Sequence, residues 1–476
     1  MGPSLGVDSK NVKFATLGLT AGLCIGAIFW GALSDKYGRK WAFNITLLVV
    51  ALSGFLAGCA RELWQSAICF GLLGFGLGGN LVVDGTLLLE FLPSRKKWLL
   101  VGQGMSLGHE IELTMIQTCL SISWGIGALL ASTLGWGILP RTSCAEGEMS
   151  CRLATEGEPC CAREDNRGWQ YVLWTMSGLT LFFWAWRSLA FGGWESPHFL
   201  LSNGQITQAV AVVRGVAYLN HRSTWLTKAL LNDAGNGHEV ATASSSDSPT
   251  GQFSLQTFRQ LLGERKRCIN TILLWFAWAA IGLGFPLYNL FLPQYLANNG
   301  TDKPTSLDTT YRSYLVTSAT GLAGSIVAAV VINCPILGYR LGCRKTMAAS
   351  AALSGTFVFL FTVRSNSDWQ LGFSSAQAFC QNIMYGTLFA YTPMTFPTMY
   401  RGTGTGIGGF LNRLFGTLAP VMAVYLTMSS VKAPIYVSGA LFLCAFVAMC
   451  FLPIETAPNK ARGQRTATPM REVGAS

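Results

Sequence analysis

Charge is scarce in this chain. Only 12% of its 476 residues are Asp, Glu, Lys or Arg, while 50% are hydrophobic, and the mean hydropathy of +0.38 excludes an ordinary soluble domain. Histidine is rarer still, at four. None lies in the cysteine-bearing stretch 141–168, so a metal site there lacks its common partner. No cleavable leader of the charged-then-apolar kind opens the chain. No nucleophile, base and metal set is clustered anywhere, which argues against an enzyme and implies no cofactor. Acids are also short, 23 against 34 bases, leaving a net charge of +11. A nucleic-acid binder would gather that charge on one face. Here it is scattered over 36–40, 95–97, 195–267, 340–345, 401 and the tail after 459, the distribution of positive-inside anchoring.

What is abundant is apolar sequence. Runs of about 20 residues, the length that crosses a bilayer core, recur at 14–33, 41–59, 66–89, 116–139, 170–192, 268–290, 314–337, 346–363, 371–393, 403–428 and 434–452. The expected fold class is therefore all-α, a polytopic membrane protein of about eleven transmembrane helices. Placing every basic loop in the cytosol satisfies the alternation and sets the N-terminus outside.

The chain also repeats itself at one fixed step. Gly38, inside Asp35-Lys36-Tyr37-Gly38-Arg39-Lys40, moves on 304 residues to Gly342, inside Tyr339-Arg340-Leu341-Gly342-Cys343-Arg344-Lys345. The same step takes Pro93, after Glu90-Phe91-Leu92, to Pro397, before Thr398-Met399-Tyr400-Arg401. Such a duplication joins two membrane bundles in parallel. It divides the chain into an N-terminal bundle over 1–194, a cytosolic linker over 195–267, a C-terminal bundle over 268–455 and a cytosolic tail over 456–476. A six-plus-six repeat would place one further helix before Val12.

Gly31-Ala32-Leu33-Ser34-Asp35-Lys36-Tyr37-Gly38-Arg39-Lys40 resembles the loop between the second and third helices of the major facilitator superfamily. Trp194-Glu195-Ser196-Pro197 and Leu452-Pro453-Ile454-Glu455-Thr456 resemble the elements that end the sixth and twelfth helices of its sugar-porter-like and synaptic-vesicle-protein-like branches. Gly79-Asn80 through Asp84-Gly85-Thr86 to Glu90-Phe91 is similar to a run in fungal members. The resemblance covers nearly the whole chain. It implies a two-bundle transporter fold in which Asp35, Gly38, Arg39, Lys40, Glu90, Lys97, Glu195 and Arg401 gate the cytosolic side. An acid beside a helix end with bases a few residues on can bridge neighbouring helices, while Gly38 permits the tight turn. The alternative is that Asp35, Arg39 and Lys40 are solvated loop charges that only set topology. Met394 stands where Glu90 has its counterpart and Cys343 where Arg39 has its own, so the second half carries the weaker charge network.

Substrate contacts should come from polar and aromatic residues at membrane depth, where an unsatisfied polar group is costly. The candidates are Asn80 and Asp84, then Tyr288 and Asn289, then Gln377, Gln381, Asn382 and Tyr385. Gln377, Gln381 and Tyr385 recur every four residues and share one helix face. Asp84 is the single acid in its apolar span and is the candidate for proton coupling; a helix–helix hydrogen bond is the alternative. Arg413 reads as an interhelical partner rather than a ligand contact, Arg187 as an anchor snorkelling to the cytosolic interface, and Trp275 and Trp278 as packing or interfacial belt.

Ten of the fourteen cysteines read as small apolar residues in or beside spans. Cys144, Cys151, Cys160 and Cys161 share an outside loop where two bridges can persist, with the pairing open. Asn299-Gly300-Thr301 is a glycosylation sequon in another outside loop. Residues 101–115, with His109, Glu110 and Glu112, read as an insertion before the next span, 241–251 as a disordered polar stretch, and Phe253 to Leu262 as an amphipathic piece on the bilayer.

The function expected is secondary active transport of a small organic solute, sugar-like or an organic acid, by alternating access. The implied partners are the lipid bilayer, the solute and protons, with no nucleic acid; the implied site is the plasma membrane. Export of a fungal secondary metabolite and a non-transporting receptor-like role are the alternatives.

Overall fold

A computed structural model of the chain describes residues 2–7, 9–91, 107–144, 149–151, 160–190, 194–219, 221, 224–229, 262–299, 306–333, 342–363, 366–396, 401–430 and 432–454. The helices of its first part are α1 (Gly2–Leu5), α2 (Ser9–Tyr37), α3 (Arg39–Cys59), α4 (Leu63–Phe91), α5 (Leu107–Thr142), α6 (Gly168–Ala190), α7 (Pro197–Ser202) and α8 (Ile206–Leu219). Then follow α9 (Arg265–Asn299), α10 (Leu307–Asn333), α11 (Cys343–Val363), α12 (Ser367–Thr395), α13 (Arg401–Ser429) and α14 (Ala433–Cys450). Each of the eleven apolar runs falls on one long helix over its described residues, apart from the last two residues of 434–452, and among the described residues eight of these helices are long and apolar enough to cross a membrane.

The internal repeat extends to the helix ends. Moved on by 304 residues, α3 falls on Cys343–Val363 and α4 on Ser367–Thr395, which are the bounds of α11 and α12. The packing repeats with them: α2 lies on α4 as α10 lies on α12, α3 on α4 as α11 on α12, and α3 on α6 as α11 on α14. The second half has a further long helix, α9, held against α13 and α14; no counterpart to it stands among the described residues of the first half.

Side-chain size explains these choices of neighbour. On α2 and α4, a Cβ at Gly22 would strike the backbone of Gly71 and one at Gly74 the backbone of Leu19, so these glycines let two apolar helices cross with their main chains in contact. In the second half, Leu274, Ile281, Tyr288, Met347, Phe361, Met384 and Phe442 interlock in one core. The large apolar side chains left exposed, such as Trp41, Trp64, Trp124, Phe182 and Trp186, stand on helix faces turned outward. That is the distribution of a chain whose solvent is lipid.

The two halves meet along α5 against α10 and α12 and along α2 against α13. Toward the end of α5 that carries the cysteine loop, Ser132 and Ser318 hydroxyls lie 2.6 Å apart and Trp136 Nε1 donates to Asp308 Oδ1 at 3.0 Å. The loop itself is pinned by Cys144–Cys161 and Cys151–Cys160 disulfides around a two-residue parallel pair, β1 (Met149–Ser150) and β2 (Cys160–Cys161). Ser4 reaches the same loop, donating from Oγ to the Asn166 carbonyl at 2.9 Å and accepting from Trp169 Nε1 at 3.2 Å.

One expectation is corrected here. The helix that carries the span expected from 116 begins at Leu107, so residues 107–115, including His109, Glu110 and Glu112, read as an insertion, are the first turns of α5. The described part of the linker holds two helices, α7 and α8. Pro197 opens α7 at a position where its missing N–H costs nothing, and the Ser196 hydroxyl accepts from Phe199 N–H at 3.4 Å.

Candidate transport path

Asp84 and Arg187 meet one to two turns from the C-terminal ends of α4 and α6. Asn80 and Asp84 sit one turn apart on α4, and Asn80 Nδ2 donates to Asp84 Oδ2 at 2.8 Å. Arg187, on the last turn of α6, points inward. Its Nη1 donates to Asn80 Oδ1 at 3.3 Å and meets Asp84 Oδ1 at 3.5 Å, while its guanidinium lies 3.1 Å above the centre of the Phe43 ring of α3. Thr46 of α3 adds a hydroxyl 3.4 Å from Asn80 Oδ1. The Asp84 side chain keeps 35% exposure against 12% for Arg187, so the acid is the open member of the pair. This corrects the snorkelling assigned to Arg187: a carboxylate, an amide and a ring within reach outcompete the interface. Arg187 Nε and Nη2 remain buried without a partner.

On α12, the matching helix of the second half, the candidate side chains are neutral. Gln377 and Gln381 are buried and hydrogen-bonded to each other. Asn382 turns to α10, its Oδ1 accepting from Ser325 at 3.4 Å and its Nδ2 donating to the Ala378 carbonyl at 2.9 Å. Tyr385 packs its ring on Phe285 and Phe389, with Asn412 beside its hydroxyl. The other two candidates do not join them. Tyr288, at 2% exposure, is sealed in the second-half core against Phe361, and Asn289 is exposed and donates back to the Phe285 carbonyl at 3.0 Å. Trp278 is buried and donates to Thr392 Oγ1 at 3.0 Å; Trp275 donates to the Gly404 carbonyl at 3.0 Å.

Between α2 and α3, Gly38 has φ +105°, a conformation that side chains rarely adopt, and a Cβ there would sit 2.5 Å from Glu195 Oε2. That space lets the Glu195 carboxylate accept the Arg39 N–H at 2.9 Å and the Lys40 N–H at 3.2 Å. Glu195 thus caps the N-terminus of α3 across 155 residues of chain, a role for an acid at the positive end of a helix. The side chains of Asp35, Glu90 and Arg401, the whole of Lys97, and the Asn299 side chain at the end of α9 lie outside the described residues.

Sequence comparison sets this geometry among known proteins. The model of the Major Facilitator Superfamily matches residues 1–339 and 315–474. The chain is similar to the MFS siderochrome iron transporter 1 of Ceriporiopsis subvermispora, 38% identical over 94% of this chain and 80% of that protein. It is likewise similar to an uncharacterized MFS-type transporter of Schizosaccharomyces pombe, 35% identical over 94% of this chain and 77% of that one. Among solved structures, the proton:xylose symporter XylE has the same fold at 14% identity, with a TM-score of 0.63 over 96% of this chain and 89% of that one. A duplicated set of lipid-facing helices with polar residues turned inward, matched end to end by that family's model, makes this chain a multi-pass membrane protein that belongs to the major facilitator superfamily.

Proposed function

We propose that the chain is a secondary active transporter that carries a small organic solute by alternating access. The bundles over 1–194 and 268–455, joined by the linker over 195–267, rock against each other about a polar path, in a fungal plasma membrane. The carrying observation is the Asp84–Arg187 pair: a charge at membrane depth is expensive, and here a partly open acid meets a buried base between helices that bear the repeat. Asp84 couples protons to the cycle. Ionised, it holds α4 to Arg187 on α6; protonated from the cytosolic side, it surrenders the charge attraction and frees the two helices to shift. The Gly38 turn and its Glu195 cap, with Asp35, Arg39, Lys40, Glu90, Lys97 and Arg401 around them, form the cytosolic gate. Gln377, Gln381 and Tyr385 supply hydrogen bonds and a ring from the second half. The relatives support the class, since one is named for siderochrome iron and the structural neighbour for proton:xylose symport.

The test is uptake into proteoliposomes under an imposed pH gradient. Asp84→Asn is expected to abolish pH-driven accumulation while sparing exchange of solute across the membrane. Unchanged pH-driven uptake in that variant refutes the coupling role.

A further inference from the structure

We infer that Arg413 is the residue that recognises the solute, and that the solute is therefore an organic anion. This rests on the transport reading above and adds the substrate's charge to it.

Arg413 lies 12 residues into α13, about 18 Å along its axis at 1.5 Å per residue, which is mid-bilayer. A guanidinium there is costly unless it is matched, and the first half shows how the chain matches one: Arg187 has Asp84. Among the described residues, Arg413 has no such carboxylate. Among the described residues, Asp84 pairs with Arg187 and Glu264 with Arg267, and the titratable group facing Arg413 is the neutral thiol of Cys24 on α2.

The neighbouring residues show which way Arg413 faces. Asn412 Nδ2 donates to the Trp278 carbonyl at 3.2 Å and Gly416 lies against Gly282, so that side of α13 is committed to α9. Arg413, about 100° further round the helix, turns toward α2 and hence to the seam between the halves. One and two turns toward the cytosolic end on the same side are Gly409 and Gly406, where an added Cβ would meet no atom within 4 Å. Arg413 thus stands at the inner end of a bare wall. A neutral sugar entering here would leave the cation unmatched. A carboxylate would match it with a charge-assisted pair in a medium that strengthens it.

The experiment uses the full chain in proteoliposomes and three acid/neutral pairs as probes: nicotinate with nicotinamide, succinate with succinamide, and xylonate with xylose. Uptake and thermal stabilisation of the purified protein are both read. Saturable uptake is expected for an acid and not for its neutral partner. Arg413→Gln should lower it by about tenfold to a hundredfold, the worth of a hydrogen bond to a charged group. Arg413→Lys should retain more than Arg413→Gln. Both variants must run monodisperse with their disulfides formed, so that a folding defect is not read as lost recognition. Uptake of a neutral member in preference to its acid overturns the inference, as does acid uptake untouched by Arg413→Gln or competed by chloride rather than by carboxylates. Stabilisation by an acid without any uptake upholds the Arg413 site and refutes transport. No uptake and no stabilisation by any probe refutes both.

Discussion

Breaking the Asp84–Arg187 pair from either side should cost more than removing it whole. Charges 3.5 Å apart attract by about 5 kcal/mol at an effective dielectric of 20. Desolvation of both groups offsets much of that, and the 35% exposure of Asp84 screens it further. A net coupling of about 1–3 kcal/mol remains. Asp84→Ala strands a guanidinium whose Nε and Nη2 already lack partners, with only Asn80 Oδ1 at 3.3 Å and the Phe43 ring left to it. Arg187→Met leaves Asp84 its Asn80 bond at 2.8 Å and its access to solvent, so it should be the milder single change. The double variant replaces both charges with apolar groups and should recover most of the loss. The assay is a double-mutant cycle on thermal unfolding of the detergent-purified protein. Singles are expected to melt several degrees lower, with the double close to wild type. Additive losses in the double variant would refute the pair as an energetic unit and remove the basis for coupling protons through it.

Three further outcomes follow from the loops. Glu195→Ala should destabilise the start of α3 by about 0.5–2 kcal/mol, seen as faster hydrogen exchange at Arg39 and Lys40, whose N–H groups it accepts at 2.9 and 3.2 Å; unchanged exchange there contradicts the cap. Maleimide labelling of the unfolded, unreduced protein should spare Cys144, Cys151, Cys160 and Cys161. Cys144→Ser should cost about 3 kcal/mol by loss of a 17-residue closure, and an undiminished melting temperature would contradict that.

Much of the fold was legible because membrane burial writes long apolar runs and a duplicated gene keeps its loop spacing. The 304-residue step read from Gly38 and Pro93 also predicts the ends of α11 and α12. Helix ends were less legible: hydropathy stops where polar residues begin, whereas α5 continues its hydrogen bonding back through Glu112 and His109 to Leu107. Within the candidate path, the shared face of Gln377 and Gln381, which are hydrogen-bonded to each other, was legible by spacing. Contacts between helices distant in sequence were not. Arg187 reads as an anchor from its place near a helix end, and only packing brings it to Asp84 and Phe43. Tyr288 and Asn289 are adjacent in sequence, yet one faces the core and the other the exterior, because the rotation of α9 is set by α13 and α14.

The claim that two halves open to either side in turn is tested most directly at Ser132 and Ser318, whose hydroxyls are 2.6 Å apart across the seam between α5 and α10. In a Ser132→Cys/Ser318→Cys variant reconstituted in proteoliposomes, oxidation should join the helices and stop solute flux, and reduction should restore it. Full flux through the cross-linked protein would contradict alternating access in this chain.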